Sequence, residues 1–443
     1  MVYALIVLAA SAPAQTTDEE FVRWASERAI PVSTVDAGGD FTDMLPLKAV
    51  VGSARVVALG EPTHGAHEPL AFRNRLIRFL VEQMGFTAVA LESGFTESWR
   101  VQSFLAGGNG ELSAVAGNGL TAPTLARFGE NPELIDWMKQ YNEDQAHRRK
   151  IRFYGIDLTG WRADKGDFSN ARLSVDFAVA FLSRAGAGAA DKLRAALEPM
   201  LSKFTDQQYN SLSKADHDRL EAGLSDLAAA VTRNRTELIA MTSPDEYDWV
   251  LHSIQVARQL GRFFLLAPSS ADPNRSIPPG AGPAMTARDS AMAENVGWAL
   301  EHEGAAGKLI VFAHDGHVMN SKADGGLWAA VREKPSMMGT FLRSMFGRDL
   351  VSIGTIGAST VGAGLPQPQP LPDSVDSVLA KVGMPRFILD LRPARDNAQV
   401  LAWLSETRPL RSNLITHISI TPATAFDALF FVDELTRTHA PKR

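Results

Sequence analysis

Six short apolar runs, each ending abruptly in a polar or loop-forming segment, constrain this chain more than any other feature. Residues 55–60 stop at Glu61, 87–91 at Glu92, 151–156 at Asp157 and 308–313 at His314; 349–356 and 386–391 have the same character. Their length and β-branched content suit strands buried on both faces, and helical patterns lie between them. Alternating strands and helices predict an α/β fold with a mainly parallel sheet flanked by helices. Between 167 and 268 the strand-like runs vanish, and long amphipathic stretches such as 217–240 and 245–266 take over. This predicts a helical subdomain inserted into the sheet, acting either as a lid over a cleft or as packing support. The α/β core would then comprise 15–166 and 269–443. Pro/Gly-rich loops are expected at 269–283 and 357–373, with weaker α/β signals from 374 onward.

The remaining composition narrows the function classes. The chain has 443 residues, 45% apolar and 21% charged, which excludes collagen-like, coiled-coil and disordered classes. With 44 basic against 50 acidic residues and a net charge of −6, it lacks the clustered base of a nucleic-acid binder. It has no Cys, so disulfides, zinc ribbons and thiol nucleophiles are out, and any metal would use His and carboxylates. Residues 1–14 form the one strongly apolar terminal segment. It is too short to span a bilayer, and Ala12-Pro13-Ala14 suits a cleavage site. A signal peptide is expected there, giving a secreted or periplasmic mature protein with no membrane partner; a cytoplasmic protein is the alternative.

The polar endings carry the chemistry. Ligands bind outside the carboxyl ends of parallel strands, so Glu61, Glu92, Asp157 and His314 are expected to converge on one site. In the window Gly60-Glu61-Pro62-Thr63-His64-Gly65, two glycines and a proline predict a tight turn that holds His64 on a loop rim. There an imidazole can exchange protons near neutral pH; the alternative is that Thr63 caps a helix and His64 fills its first turn. His67 is a weaker candidate. In the next helix, Leu70, Ile77, Leu80 and Met84 form an apolar stripe that also holds Arg73. A buried guanidinium needs a partner, with Glu61 or Glu92 expected, unless the side chain snorkels to the surface. His314 and His317, three apart, can face the same way if a helical turn follows. No GxSxG elbow, phosphate-binding loop or post-strand GxGxxG occurs, which leaves His, carboxylate and Arg, a set suited to general-base attack by water. No cofactor is expected.

These residues resemble the erythromycin esterase family. The matching pieces are GEPTHG at 60–65, Arg73, LES at 91–93, GID at 155–157, RDSAMAEN at 288–295 and AHDGHV at 313–318. The resemblance implies hydrolysis of a cyclic, macrolide-type ester without a covalent acyl-enzyme. It makes His64 the base, oriented by Glu61, Arg73 and Glu92, with His314 and His317 stabilising the oxyanion or leaving group. Asp157 and Arg288 would shape the substrate site. Two other readings stay open: a metal-dependent hydrolase using His64, His314, His317 and a Glu as ligands, and a non-catalytic secreted binding protein.

Overall fold

The computed structural model describes residues 17–120, 125–162, 167–268, 277–362, 364–365 and 371–441; the expected signal segment 1–14 and part of the loop at 269–283 lie outside them. Ten strands are present among the described residues: β1 (Ile30–Pro31), β2 (Val56–Glu61), β3 (Ala88–Gly94), β4 (Arg152–Asp157), β5 (Leu309–His314), β6 (Leu350–Thr360), β7 (Arg386–Asp390), β8 (Arg408–Ser412), β9 (Thr416–Ile420) and β10 (Ala428–Leu435). Eight of them form one sheet in the order β1-β7-β10-β6-β2-β5-β3-β4. The six from β10 to β4 are parallel, whereas β7 runs antiparallel to both of its neighbours. The mixed α/β class with a mainly parallel sheet therefore holds. All six apolar runs are strands.

The continuous apolar runs are explained by burial on both faces. Val56 and Ala58 join one hydrophobic cluster with Trp249 and Met292, while Val57 and Leu59 join a second with Phe72 and Phe79. Helices Pro244–Leu266 and Gly282–His302 thus cover one face, and His67–Met84 covers the other. Residues 167–268 hold the helices Leu173–Leu182, Ala187–Leu201, Lys214–Arg233, Arg235–Met241 and Pro244–Leu266, and no strand. They share a third cluster centred on Phe181, Leu197 and Phe264. The amphipathic stretch 217–240 falls on two helices that meet at Asn234, which ends one and starts the next. Strand β6 runs four residues into the expected loop at 357–373. No described helix is long and apolar enough to cross a membrane.

Two features lock the centre of the sheet. Gly60 is not a turn residue but lies inside β2, where a Cβ would stand 1.9 Å from Asp315 Oδ1 and 2.9 Å from its Cα. Asp315 occupies that space and accepts the Thr355 N–H of β6 at 3.0 Å. Thr355 Oγ1 in turn donates to the Gly60 carbonyl at 2.7 Å. A side chain at 60 must therefore displace a buried carboxyl. Gly60→Ala is expected to lower stability by about 2 kcal/mol, as overpacking does, measured by urea unfolding. Gly38→Ala, with nothing within 4 Å of its new Cβ, is expected to leave it unchanged to about 0.5 kcal/mol.

Candidate active site

The parallel register brings the strand ends together. Glu61 closes β2 level with His314, the last residue of β5. His64 follows in the turn, not in a helix, because helix His67–Met84 starts only after Ala66 and without a side-chain cap. Its Nδ1 lies 2.7 Å from Glu61 Oε1. A carboxylate acceptor makes Nδ1 the protonated nitrogen, so neutral His64 keeps its lone pair on Nε2. Burial disfavours charge on this ring, but Glu61 beside it and Glu92 further off outweigh burial and raise its pKa to about 8.

Glu92 sits at a bulge between Leu91 and Gly94 that shifts the register of β3 against β4. Its Oε2 accepts the backbone N–H of His314 at 2.8 Å, and its Oε1 lies 3.2 Å from Arg288 Nη2. Arg288, from helix Gly282–His302, grips Asp157 through Nε and Nη2 at 2.9 and 2.5 Å, a two-point contact that fixes both groups. Burial would raise the Glu92 pKa. The neighbouring His317, His64 and Arg288 overcome it and hold this carboxyl well below the usual range.

His314 and His317 share one short segment, Asp315–Val318 being a single helical turn, yet their states are opposite. His317 directs Nδ1 to Asp289 Oδ1 at 2.8 Å, and its Nε2 lies 3.4 Å from Glu92 Oε1. Burial opposes its charge, but the two flanking acids raise its pKa to about 10. It is a fixed cation at neutral pH. His314 instead accepts the Gly316 N–H on Nδ1 at 3.0 Å, capping that turn, so the proton of the neutral ring sits on Nε2. Burial and the nearby His64 push its pKa down to about 3, against the pull of Glu92 and the Pro62 carbonyl. Apart from the pull of the Pro62 carbonyl, the buried Nε2 has no well-formed hydrogen bond among the described residues. The His64 and His314 rings stand 5.6 Å apart.

Arg73 corrects the expectation made for it. It neither pairs with Glu61 or Glu92 nor snorkels, but is wholly buried. Its Nη1 donates to Asn131 Oδ1 at 2.6 Å, and its Nε and Nη2 donate to Asn74 Oδ1 at 3.1 and 2.8 Å. The guanidinium also lies 4.8 Å from the centre of the Phe312 ring. Burial lowers its pKa to about 10, with Glu61 and Glu130 opposing through space. Arg73 thus stands behind the site.

His64, Glu92, Asp157, Arg288, His314 and His317 all line a cavity of about 470 Å³. Glu61 and Arg73 do not line it. Trp161, Phe168 and Phe263 give it one apolar wall, and Met285, Trp328 and Ile418 add more. Ser412 and Asn413, from the β8–β9 hairpin, reach the cavity too, and the Asn413 N–H donates to the Pro62 carbonyl at 2.8 Å in the His64 turn. Sequence reasoning missed this hairpin, Asp289 and Asp315. Asp289 is an acid within a mostly buried helix, the same signal that exposed Arg73. Among the described residues, His and acid groups with ligand atoms within 4.8 Å of one another occur at His67, Glu130 and His439, outside this cavity, and not at His64, His314 and His317.

The ion-pair network gives a direct test of the site's construction. Arg288→Met leaves Asp157 buried without its cation and strips Glu92 of one of its two, and is expected to cost about 3 kcal/mol of stability, measured by urea unfolding.

The family model for erythromycin esterase matches residues 81–435, so the match begins after the His64 turn and runs well past residue 320. Erythromycin esterase type II of Escherichia coli is 28% identical over 361 residues, 75% of this chain and 76% of that protein. A solved protein from Bacillus cereus superposes with a TM-score of 0.76 at 23% identity, covering 96% of this chain and 99% of that one. A mutant erythromycin esterase solved in its open conformation gives 0.66 at 18% identity, over 94% and 99% of the two chains. At those identities the solved structures speak for the fold. The family model covers most of the sequence, and with it the chain belongs to the erythromycin esterase family and is a carboxylic ester hydrolase.

Proposed function

We propose that this hydrolase opens a macrolide-type lactone by direct attack of water, with His64 as general base. The observation that carries the reading is the Glu61–His64 pair, whose Nδ1–H···Oε1 contact of 2.7 Å leaves the Nε2 lone pair for a water at the cavity floor. His64 Nε2 takes a proton as the water oxygen bonds to the ester carbon. The carbonyl oxygen becomes an oxyanion, which the Nε2–H of neutral His314 is suited to receive. The cationic His317 and Arg288 add positive potential there. When the C–O bond breaks, protonated His64 returns its proton to the leaving alkoxide. The product is a ring-opened hydroxy acid, and no bond to the protein forms at any step. The apolar wall of Trp161, Phe168 and Phe263 suits a bulky, weakly polar ring. Two relatives from Escherichia coli are named erythromycin esterases, type II and type I.

The substrate class is tested by mass spectrometry of a macrolide and simple-lactone panel. The wild type is expected to add one water to a macrolide, and His64→Asn is expected to lose roughly 10²–10⁴ in kcat/KM. Turnover of simple lactones alone would refute the macrolide reading and keep the esterase.

The pH profile tests the roles. A base works only when deprotonated, so kcat/KM is expected to rise with pH and level off above about 8, where His64 loses its proton. It is expected to fall again near 10, where His317 ceases to be a cation. Because Glu61 raises the His64 pKa, Glu61→Gln is expected to move the acidic limb to lower pH while reducing the plateau.

A further inference from the structure

We propose that His67, Glu130 and His439, with Glu133 beside His439, form a site for one divalent transition metal of the zinc class, separate from the ester-cleaving cavity. His67 Nδ1 lies 2.6 Å from Glu130 Oε1, and His439 Nε2 lies 3.6 Å from the same oxygen and 3.7 Å from Glu133 Oε2. A zinc ion about 2.1 Å from each ligand holds them roughly 3.4 Å apart, close to the two longer spacings. The shorter one is a hydrogen bond, whose proton the metal replaces on binding. Two imidazoles and one carboxylate lie within 4.8 Å of one another and supply three protein ligands in a chain without Cys, with water or Glu133 to complete a tetrahedron.

The surroundings are those of a built site. His439 Nδ1 lies 2.9 Å from the Ala440 carbonyl; donating there, it leaves the Nε2 lone pair on the cluster side. The Thr438 hydroxyl donates a short hydrogen bond to Glu130 Oε2, fixing the carboxylate's other oxygen. A Cβ at Gly129 would meet His439 Nδ1 at 2.1 Å, so only glycine lets the ring approach. Glu130 is buried, whereas the His67 and His439 side chains are 31% and 39% exposed, which gives an ion its way in.

The position gives the ion a purpose. The Thr438 N–H donates to the Gly65 carbonyl and the His67 N–H to the Thr436 carbonyl, each at 2.9 Å. The Gly129 N–H donates to the His439 carbonyl at 2.8 Å. The C-terminal segment is thereby stitched to the turn that carries His64, and a bound metal would clamp all three pieces.

Cobalt(II) is the probe. Untagged, chelator-treated full-length protein is expected to bind one equivalent and show visible d–d absorption, unchanged in His64→Asn and lost in His439→Ala. Circular dichroism checks that His439→Ala is folded. Zinc, but not magnesium, is expected to raise the unfolding midpoint of the wild type by about 2 °C and to leave that of His439→Ala where it was. An absent spectrum, one that survives His439→Ala, or one lost in His64→Asn would overturn the proposal and leave a hydrogen-bonded ion pair.

Discussion

The side-by-side parallel pairing of β2, β5, β3 and β4 imposes the chemistry of this protein. Parallel neighbours end on the same edge, so Glu61, His314, Glu92 and Asp157 meet there although the chain between them is long. The pairing also fixes heights. Glu61 and His314 are direct partners in register, while the bulge in β3 sets Glu92 where it accepts the His314 N–H. Each strand is buried on both faces, and a one-residue slip would turn every apolar side chain to the wrong cluster. The site is therefore held by the same burial that holds the sheet.

Within that frame, neighbours set three imidazoles to three different states. His64 has one carboxylate partner and an accessible edge, and titrates near 8. His317 lies between Asp289 and Glu92 and stays charged. His314 has a backbone N–H on one nitrogen and stays neutral. Acids and cations alternate through Asp157, Arg288, Glu92, His317 and Asp289, so each buried charge has an opposite neighbour. Removing one member leaves the next unpaired, which couples the network's stability to its function.

Much of this was legible in the sequence, for a physical reason. A strand buried on both faces must be a continuous apolar run, and the polar residue that ends it must lie at the sheet edge. That logic found β2 to β7 and, with them, Glu61, Glu92, Asp157 and His314. It could not give the antiparallel direction of β7, because apolarity says nothing of which way a neighbour runs. The β8–β9 hairpin escaped because Arg408, Pro409 and Arg411 break any alternation, and its turn relies on left-handed backbone at Asn413 and Leu414. Arg73 was recognisable as a buried cation, but its partners were not. Neutral Asn74 and Asn131 satisfy it, and an amide carries no charge by which a sequence marks it as a partner. The match between His317 and Asp289 joins a long helix to a separate single turn, where no periodicity connects the two.

The reaction depends on Glu61 holding His64 as a base whose neutral form carries its proton on Nδ1. Nitrogen-15 NMR of the histidine side chains across a pH titration tests it most directly. His64 is expected to show the Nδ1–H tautomer above pH 8 and to titrate near that value, while His314 keeps a proton on Nε2 throughout. A His64 signal with the proton on Nε2, titrating in the ordinary imidazole range, would contradict it.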